Sequence, residues 1–400
     1  MSTPIFGMIL LMIFFFSTQE VFTQYSSKRS RIRESGITVG ELPVGKYNAI
    51  TDVKGVKVGH VTIISGDNVR TGVTAILPHG GNIFKKKVPA GVFIGNAFGK
   101  AAGLTQVMEL GNIETPIILT NTLSVGVGVQ GVVKYVLQLP GNEGVVSVNA
   151  VVGETNDSYL NDIRGGHVSV DHIIESITGA AGGPVEEGAV GAGTGTYCLG
   201  FKGGIGTSSR VLAPEKGGYT VGVLVQSNFG GSLVINGVPV GKEFKKLMKR
   251  GNSENESDAV GGTAPFIDNE FNGSCMIIVA TDAPLFSRAL SRLAKRAVLG
   301  LARAGSIMSH GSGDFVIAFS TYEGNFIPHN PEERVRDVEM LDDSFLTPLF
   351  QAVVEATQEA VYNSLFMAKT MAGKDGHVLK ALPIEETLKI IENYRHPAPK

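Results

Sequence analysis

From Gly36 onward, short apolar runs are repeatedly cut by Gly, Pro or Asn. Lys54–Ile64, Gly72–Pro78, Ala90–Asn96, Thr115–Thr122, Gly144–Glu154 and Thr220–Gly230 read as strands, and so does Asp314–Thr321. Several are apolar on both faces, which implies a sheet covered by other layers on both sides. Two longer segments carry a helical period. In Pro284–Arg303, Leu285, Ala289, Leu293, Ala297 and Leu301 form one stripe, with Arg288, Arg292, Lys295 and Arg296 off it. A second helix is expected from about Pro348 to Ala372, capped by Thr347 and ended by Gly373. Both read as outer, amphipathic layers. The pattern fails at Arg250–Gly273, which is polar, mixed in charge and without period; such a long insert inside a domain is functional or disordered.

At the start, Ile5–Phe16 is a continuous apolar run, too short to span a bilayer and suited to a secretory signal core. No Lys or Arg precedes it and no clean small-x-small cleavage site follows, so an uncleaved apolar tail is the alternative. The expectation is an export segment over residues 1–30, a periplasmic or secreted protein, and a charged spacer at Ser26–Glu34. The remaining length of the 400-residue chain suits one large domain or two ordinary ones.

Composition narrows the function. The net charge of −2 gives no electrostatic case for nucleic acid or an acidic membrane face. Two cysteines, Cys198 and Cys275, make no disulfide framework, and the eight histidines form no metal-ligand spacing. The 52 glycines are scattered among Val, Ile and Ala runs, as in a sheet-rich protein with tight turns. Familiar signatures are missing: there is no GxSxG, and "GNAFGKAAG" has the wrong spacing for a phosphate loop. "GVGVQG", Gly126–Gly131, does match GxGxxG, with Glu154 about 20 residues on. In so glycine-rich a chain the simpler account is a strand-to-helix turn packed closely.

Gly273-Ser274 stands where the polar insert meets the apolar run "SCMIIVATDAPL". A serine hydroxyl needs a base beside it to act as a nucleophile. If Ser274 were the first residue of a chain, its own α-amine, with an ordinary pKa near 8, would supply that base. A preceding glycine leaves the carbonyl open to attack by the serine oxygen. The competing account is that Asn272-Gly273 simply turns the chain into a strand.

The sequence resembles the β-peptidyl aminopeptidase / L-aminopeptidase–D-esterase/amidase family of self-processing serine peptidases. The resemblance runs from about Gly36 to the C-terminal region. It rests on ordered blocks: "ITDVKGVKVGH", "TPIILTNT", "VVGETNDSYLND", "VLVQSNFG", "NGSCMIIVATDAPL" and "GSGDFVIAFST". It implies an α+β fold, a four-layer αββα sandwich of Ntn-hydrolase-like type. It also implies autoproteolysis between Gly273 and Ser274, giving an α-chain (36–273, with 250–273 as linker) and a β-chain (274–400) of one catalytic domain. The two chains would stay associated and form homo-oligomers.

Carried over by position, Ser274 is the nucleophile, and Ser312 and Asp314 of "GSGD" tune its amine and hydroxyl. Some relatives carry Glu at the position of Asp314. Asn228 of "QSNFG" is the oxyanion-stabilising amide, and Tyr159 and Glu154 are substrate-pocket residues, Glu154 for the substrate's free amine. Cys275 points to the opposite face and belongs to the core. No metal or cofactor is implied. The expected substrates are short peptides, amides and esters, from which an N-terminal residue (β-amino acid first, also L or D) leaves through an acyl-enzyme. The alternatives are an autoproteolytic acyltransferase that hands the acyl group to an amine such as ornithine, and a non-catalytic binding protein on the same scaffold.

Overall fold

The computed structural model describes residues 29–251 and 273–396. In chain order the main strands are β1 (Lys57–Ser65), β2 (Val69–Leu77), β3 (Lys86–Ala97), β4 (Ile117–Asn121), β5 (Val151–Thr155), β6 (Gly204–Val211), β7 (Thr220–Asn228), β8 (Ser274–Thr281) and β9 (Gly313–Ser320). The main helices are α1 (Val125–Leu137), α2 (Val170–Thr178), α3 (Ser287–Ala304) and α4 (Thr347–Met367). One sheet has the order β1-β2-β4-β5; in the other β3, β9, β8, β7 and β6 follow one another.

Two βαβ units set the layers. β4 and β5 are parallel neighbours joined through α1, and β8 and β9 are parallel neighbours joined through α3. Parallel neighbours need a crossover, and each crossover helix covers the outer face of its own sheet. Val132 and Val136 of α1 pack with Ile118 and Val152. Leu293, Ala297 and Leu301 of α3 pack with Ile277 and Val279. Between the sheets, Leu119 and Val151 meet Met276, Ile278 and Ile317. Each such fully buried aliphatic side chain contributes about 1.5–3 kcal/mol relative to exposure. The result is the expected αββα sandwich.

Several expectations are corrected. The supposed charged spacer is packed structure from Arg29 onward. Ile32 is fully buried, Arg29 donates to the carbonyls of Leu365 and Leu382 at 2.9 Å, and Arg33 Nε reaches Glu359 at 2.7 Å. This strap lies against α4, which explains a second correction. α4 is buried around almost its whole circumference, including Glu355, Glu359 and Asn363, rather than being an amphipathic outer layer. It also ends at Met367; Met371–Ala372 then pairs with Val378–Leu379 as a small hairpin. The expected strand over Gly144–Glu154 forms only from Val151. "GVGVQG" lies wholly inside α1 and forms no turn; a Cβ at Gly131 would come within 2.5 Å of Ile173, so glycine there lets α1 press on α2. The apolar run Ile5–Phe16, and all of the polar insert but its two ends, lie outside the described residues. Among the described residues, no helix is long and apolar enough to cross a membrane.

Candidate active site

Ser274 is the first residue of β8, in the interior of the second sheet. It pairs antiparallel with Asn228 at the end of β7 and parallel with Gly313 at the start of β9. Three separated blocks of sequence therefore meet at one strand end. Ser274 is buried, and its Oγ accepts the Gly313 N–H at 3.3 Å. The same N–H reaches the carbonyl of Gly273 at 3.2 Å. Only glycine fits before the serine, because a Cβ at Gly273 would sit 2.3 Å from the Asn228 carbonyl oxygen and the Phe229 Cα.

Asn228 is buried, and its Oδ1 accepts the Tyr197 N–H at 3.1 Å. That bond assigns the amide's orientation and leaves its NH2 end as the donor. Glu154, on β5, is buried. Its carboxylate accepts the Lys100 N–H at 3.0 Å and the Thr122 hydroxyl. A Cβ at Gly99 would lie 3.2 Å from Glu154 Oε1, and a Cβ at Gly313 would lie 3.1 Å from the Gly99 Cα. Gly99 thus lies between Glu154 and Gly313, the β9 neighbour of Ser274. Tyr159 stacks on His377 with ring centroids 4.4 Å apart and packs against the cluster of Leu160, Tyr197 and Leu379.

Asp314 is placed differently from Ser274. It pairs with Cys275, and alternation gives it the face turned to α3 and α4, with Val316 and Ala318. Ser274 shares the inter-sheet side with Met276. No hydrogen bond joins Asp314 to Ser274; both its carboxylate oxygens and the Ser312 hydroxyl are buried without a partner of good geometry. Burial pushes the Asp314 carboxyl up to about 6, and the neighbouring Ser312 hydroxyl pulls weakly the other way. Cys275 lies in the core, where burial and then Asp314 hold its thiol well above its ordinary range. Cys198 and Cys275 are both free thiols.

The supports of these groups were not visible in the sequence. Gly313 carries no side chain to single it out, and its N–H is the donor at the serine. The Lys100 N–H, the Thr122 hydroxyl and the Tyr197 N–H orient side chains from distant segments. Lys202 and Asp157 are further buried charges behind the site: burial brings the Lys202 amine down to about 7 and the Asp157 carboxyl up to about 7.

A four-layer α+β sandwich with a serine heading an interior strand is the plan of an Ntn-hydrolase-like aminopeptidase. The L-aminopeptidase D-Ala-esterase/amidase of Ochrobactrum anthropi, a serine aminopeptidase with a variant of the Ntn hydrolase fold, matches it with a TM-score of 0.79. It is 34% identical, with 92% of this chain and 99% of that one covered. The PH0078 protein of Pyrococcus horikoshii OT3 has a TM-score of 0.82 and 50% identity, over 92% of this chain and 99% of its own. The β-peptidyl aminopeptidase BapA of Sphingosinicella microcystinivorans is 41% identical over 387 residues, 93% of this chain and 94% of that protein. The model of peptidase family S58 matches residues 48–379. The chain belongs to peptidase family S58 and is a serine-type peptidase, a hydrolase with aminopeptidase function.

Proposed function

We propose that the chain cuts itself between Gly273 and Ser274 and then acts as an N-terminal-serine aminopeptidase through an acyl-enzyme. One observation carries this reading: the Gly273 carbonyl and the Ser274 Oγ share the Gly313 N–H, at 3.2 and 3.3 Å. A donor on that carbonyl polarises it for attack by the adjacent hydroxyl. Oγ adds to the Gly273 carbonyl carbon, the C–N bond breaks, and the serine nitrogen keeps the hydroxyl's proton. Water then hydrolyses the ester, leaving a Gly273 carboxylate and a free Ser274 amine. The two chains would remain associated, because β8 is bonded on one side to β7 of the first chain and on the other to β9 of the second.

In turnover, the Glu154 carboxylate takes the substrate's ammonium and Ser274 Oγ attacks the first carbonyl. The serine's own amine accepts the hydroxyl proton and passes it to the leaving amine. The Asn228 NH2 stabilises the oxyanion. Before cleavage Asp314 faces the helix side of its sheet, so Ser312 and the unpartnered Asp314 carboxyl become partners for the new amine once the freed Ser274 terminus turns toward them, and its positive charge would then lower the carboxyl's pKa. Water releases the acyl group. The substrates are short peptides, amides and esters beginning with a β-amino acid, with L- and D-residues also accepted; the named activity of the BapA relative supports the β preference. Export through the Ile5–Phe16 run and assembly of αβ units into oligomers complete the reading. The test is a denaturing gel with N-terminal sequencing. The wild type should give two bands, the smaller beginning at Ser274. Ser274→Ala should give one inactive band, and cleavage of that variant at Gly273 would overturn the mechanism. Product analysis with an added amine acceptor separates hydrolysis from acyl transfer.

A further inference from the structure

Asn228 can stabilise an oxyanion only if its amide is held in one orientation, and its Oδ1 is fixed by the N–H of the Thr196–Tyr197 peptide. The carbonyl of that same peptide accepts a hydrogen bond from Lys202 Nζ at 2.8 Å. Nζ also donates to the carbonyls of Gly193 at 3.0 Å and Gly203 at 2.8 Å. Three carbonyls thus match the three N–H bonds of an ammonium. Lys202 is fully buried and, among the described residues, forms no ion pair within bonding distance. The groups acting on it through space are Asp157 and the Cys198 thiol.

A buried lysine without an ion-pair partner is costly, and an apolar residue could fill the space. Its placement accounts for its presence. Tyr197–Cys198 and Phe201–Lys202 form a two-stranded hairpin that turns through left-handed Leu199 and Gly200, and Tyr197 is directly opposite Lys202. The lysine head reaches back and fastens the carbonyl side of a planar peptide whose N–H side holds Asn228. A donor on the carbonyl also strengthens the N–H as a donor.

The geometry assigns Lys202 as the positioning residue for the oxyanion amide: through the Thr196–Tyr197 peptide it keeps Asn228 oriented at Ser274. This rests on the reading of Asn228 given above. The test is a double-mutant cycle on the purified self-cleaved protein expressed as the whole chain, with Lys202→Met, Asn228→Ala and the pair, measuring kcat per cleaved molecule, KM and the unfolding midpoint. Asn228→Ala should lower kcat by about a hundredfold to a thousandfold. Lys202→Met should lower kcat by at least about tenfold and change KM by less than about twofold. In the Asn228→Ala background, Lys202→Met should change kcat by less than about twofold.

An equal loss in both backgrounds, an effect confined to KM, or a lower midpoint with unchanged kcat would overturn the assignment of Lys202 while leaving Asn228 as the donor. An unchanged kcat in Asn228→Ala alone would instead remove the oxyanion reading itself, and the assignment with it. If Lys202→Met does not fold, Lys202→Ala, which likewise removes the donor and leaves a smaller side chain, enters the same cycle with the same criteria. If neither folds, Lys202 is a purely structural residue and the assignment fails.

Discussion

Two clusters in this protein bury carboxylates, and they treat them in opposite ways. Around Arg210 every charge is met. Its guanidinium is fully buried and donates to Glu355, Glu359, Ser208 and the Val39 carbonyl at 2.7–3.1 Å. Glu359 also takes Arg33 and Asn48. Burial acts to raise the pKa of Glu355, yet Gln351, the Leu42 N–H and Arg210 outweigh it and hold the group below its ordinary value. At Ser312 and Asp314 three buried oxygens have no hydrogen bond of good geometry. An unmet buried polar group costs about 1–3 kcal/mol, and each such exception calls for a reason, a catalytic role among them. The first cluster ties the N-terminal strap, β6 and α4 together, joining residues from both sides of the Gly273–Ser274 bond. The second is left open beside that bond.

The sharpest break between the two is Ser274→Ala, which should abolish both self-cleavage and turnover while leaving the Arg210 cluster and the folded chain intact; a gel, an activity assay and an unfolding curve check this together. Next in size is Arg210→Met in the Ser274→Ala chain. It strands two buried glutamates and should cost about 3–5 kcal/mol in a denaturant titration.

Asp314→Asn, in the same uncleaved chain, should act the other way. The Asp314 carboxyl titrates near 6 when folded, above the ordinary 3.8. The folded state therefore holds the proton longer, and stability is lost as pH rises between about 4 and about 6. The Asn variant escapes that loss. It should match its parent below about pH 4 and exceed it by up to about 3 kcal/mol above pH 6. In the cleaved enzyme, where the Ser274 ammonium is available as a partner, the gain should shrink. The smallest effect sets the scale: Lys54 and Glu323 form an exposed pair at 3.1 Å. Lys54→Ala should shift stability by less than about 1 kcal/mol.

Legibility in the sequence followed the kind of signal each segment carries. Runs such as Thr115–Thr122 and Thr220–Gly230 were readable because buried strands need uninterrupted apolar residues, and the α3 stripe because one face alone packs. β6 escaped notice: Thr207, Ser208, Ser209 and Arg210 are fully buried yet polar, and their partners, among them Glu187, Asn48, Asp52, Glu355 and Glu359, lie in other segments of the chain. The strap itself read as a solvated charge run for the same reason, since Glu187 and Glu359 answer its arginines from far along the chain. α4 looked amphipathic because its acids cannot be known as buried until Arg210 is placed. At the site, Ser274 was marked by the border of the polar insert as well as by resemblance to a family, Asn228 and Glu154 by resemblance alone, while the Gly313, Tyr197 and Lys100 N–H groups and the Thr122 hydroxyl that bond to them carry no sequence signature.

The chain alone determined the apolar strands and the α3 stripe, because hydrophobic period and chain-breaking residues act over a few neighbours, and it marked Gly273-Ser274 as the border of a polar insert and a core strand. Only the tertiary structure decided that Gly313 would sit on the serine, that Asp314 would face away from it without a partner, and that Lys202 would stand behind Asn228. Those outcomes depend on strand register and on contacts such as Tyr197 to Asn228 and Gly313 to Ser274, 31 and 39 positions apart, which no local pattern encodes.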